Sequence, residues 1–460
     1  MRKIESLKIL LTVIVILVLT LTFTLIGCKP EAVVVTETVT ETVTETVTET
    51  VEVEVEVEVE VPAEEEAPLE GVLKVWGSES KEWFVNYYEA FEEIYPNVDV
   101  QYTIFPGGEE YRTQSLLALT AGDKPDVWDT NTGSILDQFI EGGGAMDITD
   151  IANERFYDVI SESAWEFMTR DGKIYAAPYV GIYLWQVLFA NKNFFEDNSI
   201  PYPKTMDEMI EIVPQIEAGG MQGIAWSNGA GWAGVIFLGD LVAQLADVDI
   251  VDKLNSGEVT WDNSPEVLTA LQTLVKLAEG GAFASGYSIQ NPDVSIQSWL
   301  AGKAALLYMG TWMYAEAMAG GLDFDVETIA LPLASANASL KFVQNSPGGG
   351  LMINPDTEVP EIAIEFLDYV ISPEWFKLWG KHEAVLTPNA EASAEAELVD
   401  WLKVEALTRQ LDLPASDFWG PNFPAEIYEA MKSNISQALE GTITPEEALA
   451  NIEKEHALIR

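Results

Sequence analysis

From Gly71 onward the chain switches repeatedly between two hydrophobic periods. Gly71–Trp76 (GVLKVW) alternates apolar and polar side chains and is rich in Val and Leu, which predicts a strand. Gly77-Ser78-Glu79-Ser80 supplies a turn and a helix N-cap. Trp83, Phe84, Tyr87, Tyr88, Phe91 and Ile94 then form a helical stripe that Pro96-Asn97 stops. Val98–Ile104 alternates as a second strand, Tyr111–Ala121 reads as a helix, and Pro125–Trp128 reads as a third strand running into Asp129-Thr130-Asn131. Ile135–Ile140 is helical and Gly142-Gly143-Gly144 ends it. Strands alternating with helices predict an α/β fold with a mostly parallel sheet.

Ile174–Phe195 (IYAAPYVGIYLWQVLFANKNFF) breaks this rhythm. It has no charge until Lys192, and Pro178 and Gly181 interrupt any helical period. It therefore reads as buried extended chain. Extended chain of this kind suits a crossing from one globular lobe into another, with a ligand cleft between them.

The first seventy residues follow other rules. Arg2, Lys3 and Lys8 precede an apolar run from Ile9 to Ile26, the pattern of a secretory signal, with a retained anchor helix as the rival. Leu25-Ile26-Gly27-Cys28 resembles the lipobox of bacterial lipoproteins. That resemblance implies removal of residues 1–27, lipidation at Cys28, and a globular part held outside the cytoplasm on a membrane. Two or more buried acyl chains would make such an anchor stable. Thr36–Val61 repeats TETV and then VE, and Glu64, Glu65 and Glu66 follow between prolines. Such a segment lacks aromatics and repels itself, so residues 28–70 read as an extended, solvated tether. A self-associating β-rich stalk is the alternative.

The 460 residues are enough for two cores. Charge narrows the partners. The net charge is −51, and only 14 of the 75 acidic residues lie between Glu31 and Glu70, so the globular part is acidic too. Such a surface repels nucleic-acid phosphates and anionic membrane faces. One cysteine permits no internal disulfide, and two distant histidines, His382 and His456, argue against a zinc or iron site. There is no GxSxG, no phosphate-binding GxxxxGK[ST] and no privileged carboxylate pair, so neither an enzyme nor a cofactor is expected.

Ligands of open parallel sheets bind beyond the carboxyl ends of the strands. Those ends are Trp76-Gly77-Ser78 and Asp129-Thr130-Asn131. The crossing adds Tyr183 and Trp185, and Gly-rich loops add Trp226, Trp232 and Trp419. Gly348 and Gly349 would let backbone approach a ligand or would serve a hinge. Asp129 would bind hydroxyls or cap the next helix. Flat indoles cover the C–H face of a sugar while Asp, Asn, Thr and backbone groups satisfy its hydroxyls. Trp83, Trp165, Trp299, Trp375 and Trp379 lie on helical patterns and are expected in the core; the Trp residues close to Gly are expected at the ligand.

The order of several stretches resembles extracellular solute-binding protein family 1, the maltose-binding-like receptors of ABC importers. They include LKVWGSES, YPNVDVQY, TAGDKPDVWDTN, EGGGAMDIT, PYPKTMDEM, WLAGKAALLYMGTWM and SPGGGLMI, and they span roughly Gly71 to the end. The resemblance implies a periplasmic-binding-protein-like fold, two α/β lobes joined by a multi-strand hinge. Carried over, residues 71–179 and 346–382 form the first lobe, and 180–345 and 383–460 the second. Crossings fall near Tyr179–Trp185, Asn345–Gly350 and Glu383–Pro388. Trp312, in Met309–Trp312, resembles part of a ligand loop. The implied function is capture of a carbohydrate, an oligosaccharide, by a monomer that passes it to the transmembrane subunits of an ABC importer. A receptor of the same fold for a polyamine or another cation is the alternative, and a purely structural surface protein is the third.

Overall fold

A computed structural model describes residues 68–460, except 79–80, 106–107, 314–320, 384–385, 396–412 and 417–418. The signal, Cys28 and the Thr/Val/Glu repeats lie outside the described residues.

Two apolar interiors form from interleaved parts of the chain. The first gathers residues between Leu73 and Val180 and again between Leu351 and Ala392. The second gathers residues between Trp185 and Phe342 and again between Trp419 and Ile452. Each interior is built around its own sheet, giving two α/β lobes.

The first sheet runs in the order Val98–Ile104, Gly71–Gly77, Val127–Thr130, Gly350–Ile353 and Ala177–Pro178. The first three strands are parallel, as the strand–helix rhythm predicts. Gly350–Ile353 is antiparallel to both its neighbours, because here the chain returns from the second lobe. Helix Glu82–Ile94 lays Phe84, Tyr88 and Phe91 on this sheet, the spacing of one helical face. The second sheet runs Val326–Ala330, Val187–Asn191, Ala304–Leu307 and Gln222–Ala225. Val187–Asn191 is buried at every position, so Val187–Ala190 is continuously apolar rather than alternating, and the buried Asn191 side chain is satisfied by capping the next helix. Helix Trp232–Val242 is buried along its whole length after Trp232, which explains why nearly every residue in it is apolar.

The run that opened the question of lobes is extended only as far as Asn191. There the Asn191 side chain accepts from Phe194 N and caps helix Lys192–Asp197, so the last four residues of the run are helical rather than extended. Ala177–Pro178 belongs to the first sheet and Val187–Asn191 to the second. Between them, Ile182–Leu184 pairs antiparallel with Val343–Pro347, Tyr183 opposite Ser346. Ala415–Ser416 pairs on the other side of Val343 and Gln344. Three short strands thus share the connection.

Glu383 does not begin the second lobe. Its buried carboxylate accepts from Lys81 Nζ at 2.7 Å and from Trp83 Nε1 at 3.3 Å. Further on, Ser161 N donates to Pro388 O and Asn389 Nδ2 to Val159 O. Helix Ala390–Glu395 follows, with Ala392 inside the first core. The chain therefore stays on the first lobe past the expected crossing at Glu383–Pro388. A buried carboxylate torn from its lysine would cost several kcal/mol, about 3–5, so this anchor resists displacement.

Candidate functional site

The first lobe presents a polar edge. Parallel pairing sets Trp76 beside Trp128, so Trp76, Ser78 and Asp129–Asn131 emerge at the same carboxyl end of the sheet. Trp76 is half-buried and packs edge-on against Phe105 at 5.0 Å. Asp129 is half-buried, Thr130 buried and Asn131 exposed. The helix that follows takes Gly133 as its N-cap with no side-chain cap, so Asp129 is not its cap. Asn131 Nδ2 donates to Gly348 O at 3.1 Å, and Gly348 N donates to Gly181 O in the hinge. A Cβ on Gly349 would lie 2.6 Å from Thr130 O, so glycine is required for the strands to meet here. Beneath this edge, Tyr111 donates its hydroxyl to Asp129 O at 2.6 Å. Burial first, and the Asp129 carboxylate second, hold the Tyr111 phenol well above its ordinary range.

The second lobe presents rings. Trp185, directly after the hinge strand, is buried beneath two half-buried indoles. Trp312 meets it edge-on at 4.5 Å and Trp232 edge-on at 5.7 Å. Trp232 opens the buried helix Trp232–Val242, so its backbone is fixed by that helix's burial. Asn228 secures the same end: its Oδ1 accepts from Gly234 N and its Nδ2 donates to Ser436. Tyr308, stacked on Phe237 at 4.2 Å, donates to the fully buried Asp240. Burial pushes the Asp240 carboxyl up to about 7, against hydrogen bonds from Tyr308 and Gln344 that pull it down.

Two expected ligand contacts lie elsewhere. Trp226 is 1 % exposed and packs at 4.3 Å on Phe283, with Tyr287 stacked beyond. Trp419 is 2 % exposed and packs with Trp261 and Phe423. A Cβ on Gly239 would lie 2.5 Å from Trp419 Cβ, so that glycine makes room for an indole in the core. Tyr183 pairs through its backbone with Ser346, and its ring lies outside the described side chains. Of the tryptophans expected in the core, Trp165, Trp299, Trp375 and Trp379 are buried, and Trp83 is half-buried against Trp375 and Trp379. Phe105 is an addition; only its place after the second strand could have suggested it. Among the described residues, no cluster of His, Cys, Asp or Glu could hold a metal ion, and no helix is long and apolar enough to cross a membrane.

A polar strand edge and an aromatic face thus flank one hinge. A model of the bacterial extracellular solute-binding proteins matches residues 77–375. The chain belongs to that family. Among relatives of this solute-binding protein is an uncharacterised ABC transporter extracellular-binding protein of Pyrococcus horikoshii, 27% identical over 354 residues, covering 76% of this chain and 74% of the relative. A chitin oligosaccharide binding protein shares the fold with a TM-score of 0.73 at 19% identity, over 84% of this chain and 98% of that one. Maltose-bound MalE3 of T. maritima shares it with a TM-score of 0.72 at 19% identity, over 85% of this chain and all of that one. The family expected from the order of sequence stretches is the family found, and the two-lobed solute-binding fold comes with it.

Proposed function

We propose that the chain captures a carbohydrate between its two lobes and delivers it to the transmembrane subunits of an ABC importer. The supporting observation is the pairing of half-buried Trp232 and Trp312 over Trp185 on one lobe with half-buried Asp129, exposed Asn131 and the half-buried Gly348 backbone on the other. Indole faces match the C–H surface of a sugar ring, and the polar edge matches its hydroxyls. A closed form gains contacts from both lobes, so ligand shifts the population toward closure. The fold neighbours whose names mention chitin oligosaccharide and maltose support the ligand class, and the Pyrococcus relative supports the transporter partner. Two half-buried indoles offer more than one ring's worth of platform, which favours an oligosaccharide. In this reading Cys28 carries lipid and residues 28–70 hold a monomeric receptor off the membrane.

A thermal-shift screen of the full chain tests it. Maltotriose, chitotriose, xylotriose and spermidine are the probes, since a ligand that binds only the folded state raises its melting temperature. A rise with one saccharide supports the reading. A rise with spermidine alone, suppressed by salt, replaces it with the cation receptor.

A further inference from the structure

Two residues past Asn131 at the polar edge, the two lobes touch through backbone. Ser134 N, in the first turn of helix Ser134–Glu141 on the first lobe, donates to Pro421 O on the second at 2.8 Å. Pro421 lies between Trp419 and Phe423, both packed into the second core. Gly133 has φ +62°, and a Cβ there would run into the Pro421 carbonyl and ring. The first-lobe side is braced: Arg170 donates through Nη2 to Gly133 O and through Nε to Asp137, while Nη1 bonds Phe167 O and Thr169 O. Beside this contact Arg112 of the first lobe faces Glu429 of the second at 3.7 Å. Glu429 is also held by Lys432, one helical turn on.

We propose that the Gly133–Ser134/Pro421 contact, with Arg112–Glu429 beside it, is a closure latch that sets the closed fraction of the receptor and therefore its affinity for any solute. The inference rests on the reading of the fold as a two-lobed receptor that closes; the identity of the solute does not enter. Both partners of the central bond are backbone groups on separately braced segments, so the contact is made or broken only by moving one lobe against the other. When the lobes part, the N–H and carbonyl turn to water, which makes the bond a modest and reversible bias. Apparent affinity scales with the population of the binding-competent state, so a small bias at this contact is read directly in Kd. Gly133 acts without touching the ligand, because any side chain there occupies the place of Pro421.

The latch is tested by double electron–electron resonance on the full chain carrying Cys28→Ala. Nitroxides are placed at Leu117→Cys and Ile289→Cys, exposed positions on the two lobes. Gly133→Val is expected to lengthen the inter-lobe distance of the ligand-free protein. Glu429→Arg, which sets a cation against Arg112, is expected to lengthen it less, and Arg112→Glu with Glu429→Arg to restore it. Where a saccharide binds in the thermal-shift screen, Gly133→Val should weaken that same saccharide about fivefold. If Gly133→Val fails to fold, the charge-reversal pair decides alone. Unchanged distances in folded variants overturn the latch, and saccharide binding by the same variants would show that the receptor reading survives it. A lengthened distance with every saccharide silent would keep the latch and remove the carbohydrate.

Discussion

The two walls beside the hinge are built by opposite means. The first-lobe wall is the end of a parallel sheet, where Asp129, Thr130, Asn131 and Gly349 are set by strand register and backbone bonds. The second-lobe wall is a ring cluster, Trp185 beneath Trp232 and Trp312, set by packing. Register fixes hydrogen-bonding groups in place, and such groups decide which hydroxyls are accepted. Packing supplies area, which binds many flat apolar faces with little discrimination. The first wall should therefore govern specificity and the second affinity. The buried indoles Trp226 and Trp419 should govern neither, and act on stability alone.

The largest effect separates wall from core. Trp226→Ala and Trp419→Ala should each destabilise the fold by about 3–5 kcal/mol, the usual cost of emptying a buried indole site. Urea denaturation checks this, and a loss below about 1 kcal/mol would return these residues to the surface. Next, Trp232→Ala and Trp312→Ala should cost affinity rather than fold. A half-buried indole that ligand would cover gives about 1.5–3 kcal/mol, or roughly 10- to 100-fold in Kd by calorimetry. Equal loss of stability and affinity in these variants would erase the difference between the two sets of rings. Asp129→Asn should then weaken a neutral saccharide by roughly tenfold, the scale of one hydrogen bond to a charged group, with little salt dependence. A far larger and salt-sensitive loss would mark a cationic solute.

The smallest effect is on pH dependence, and it probes the support beneath the rings. The Asp240 carboxyl is raised in the folded protein from an ordinary 3.8 to about 7. The folded state thus holds a proton that the unfolded state has released. This contribution to stability is fully present below about 3.8 and is lost as pH rises toward about 7. Asp240→Asn stays neutral throughout, so its melting temperature should gain on that of wild type between pH 5 and pH 8. A constant difference over that range would remove the titration.

Much of this was legible in the sequence because it is local. Alternation over Gly71–Trp76 and Val98–Ile104 predicted the strands found at Gly71–Gly77 and Val98–Ile104, and a helical stripe from Trp83 to Ile94 predicted the helix found at Glu82–Ile94. Pro178 and Gly181 within an apolar run marked the chain that links the two sheets. What was not legible depends on partners far along the chain. Glycine near tryptophan suggested a ligand loop, yet Gly239 makes room for Trp419, 180 positions away. Glu383 is held on the first lobe by Lys81 and Trp83, some three hundred residues earlier. Nothing beside Gly133 in the sequence indicates Pro421. Trp226 and Trp232 are only six residues apart, one just after a strand and the other opening a helix, and only the fold decides that one faces Phe283 and the other Trp185.

Calorimetric titration of the full chain and its Trp312→Ala variant with the saccharide that most raises the melting temperature is the most direct test of capture between an aromatic wall and a polar one. Saturable heat in the wild type, unchanged by added sodium chloride and weakened roughly 10- to 100-fold in the variant, is the predicted result. Saccharide heat that survives Trp312→Ala unaltered, or silence toward every saccharide with salt-sensitive heat from spermidine, would contradict it.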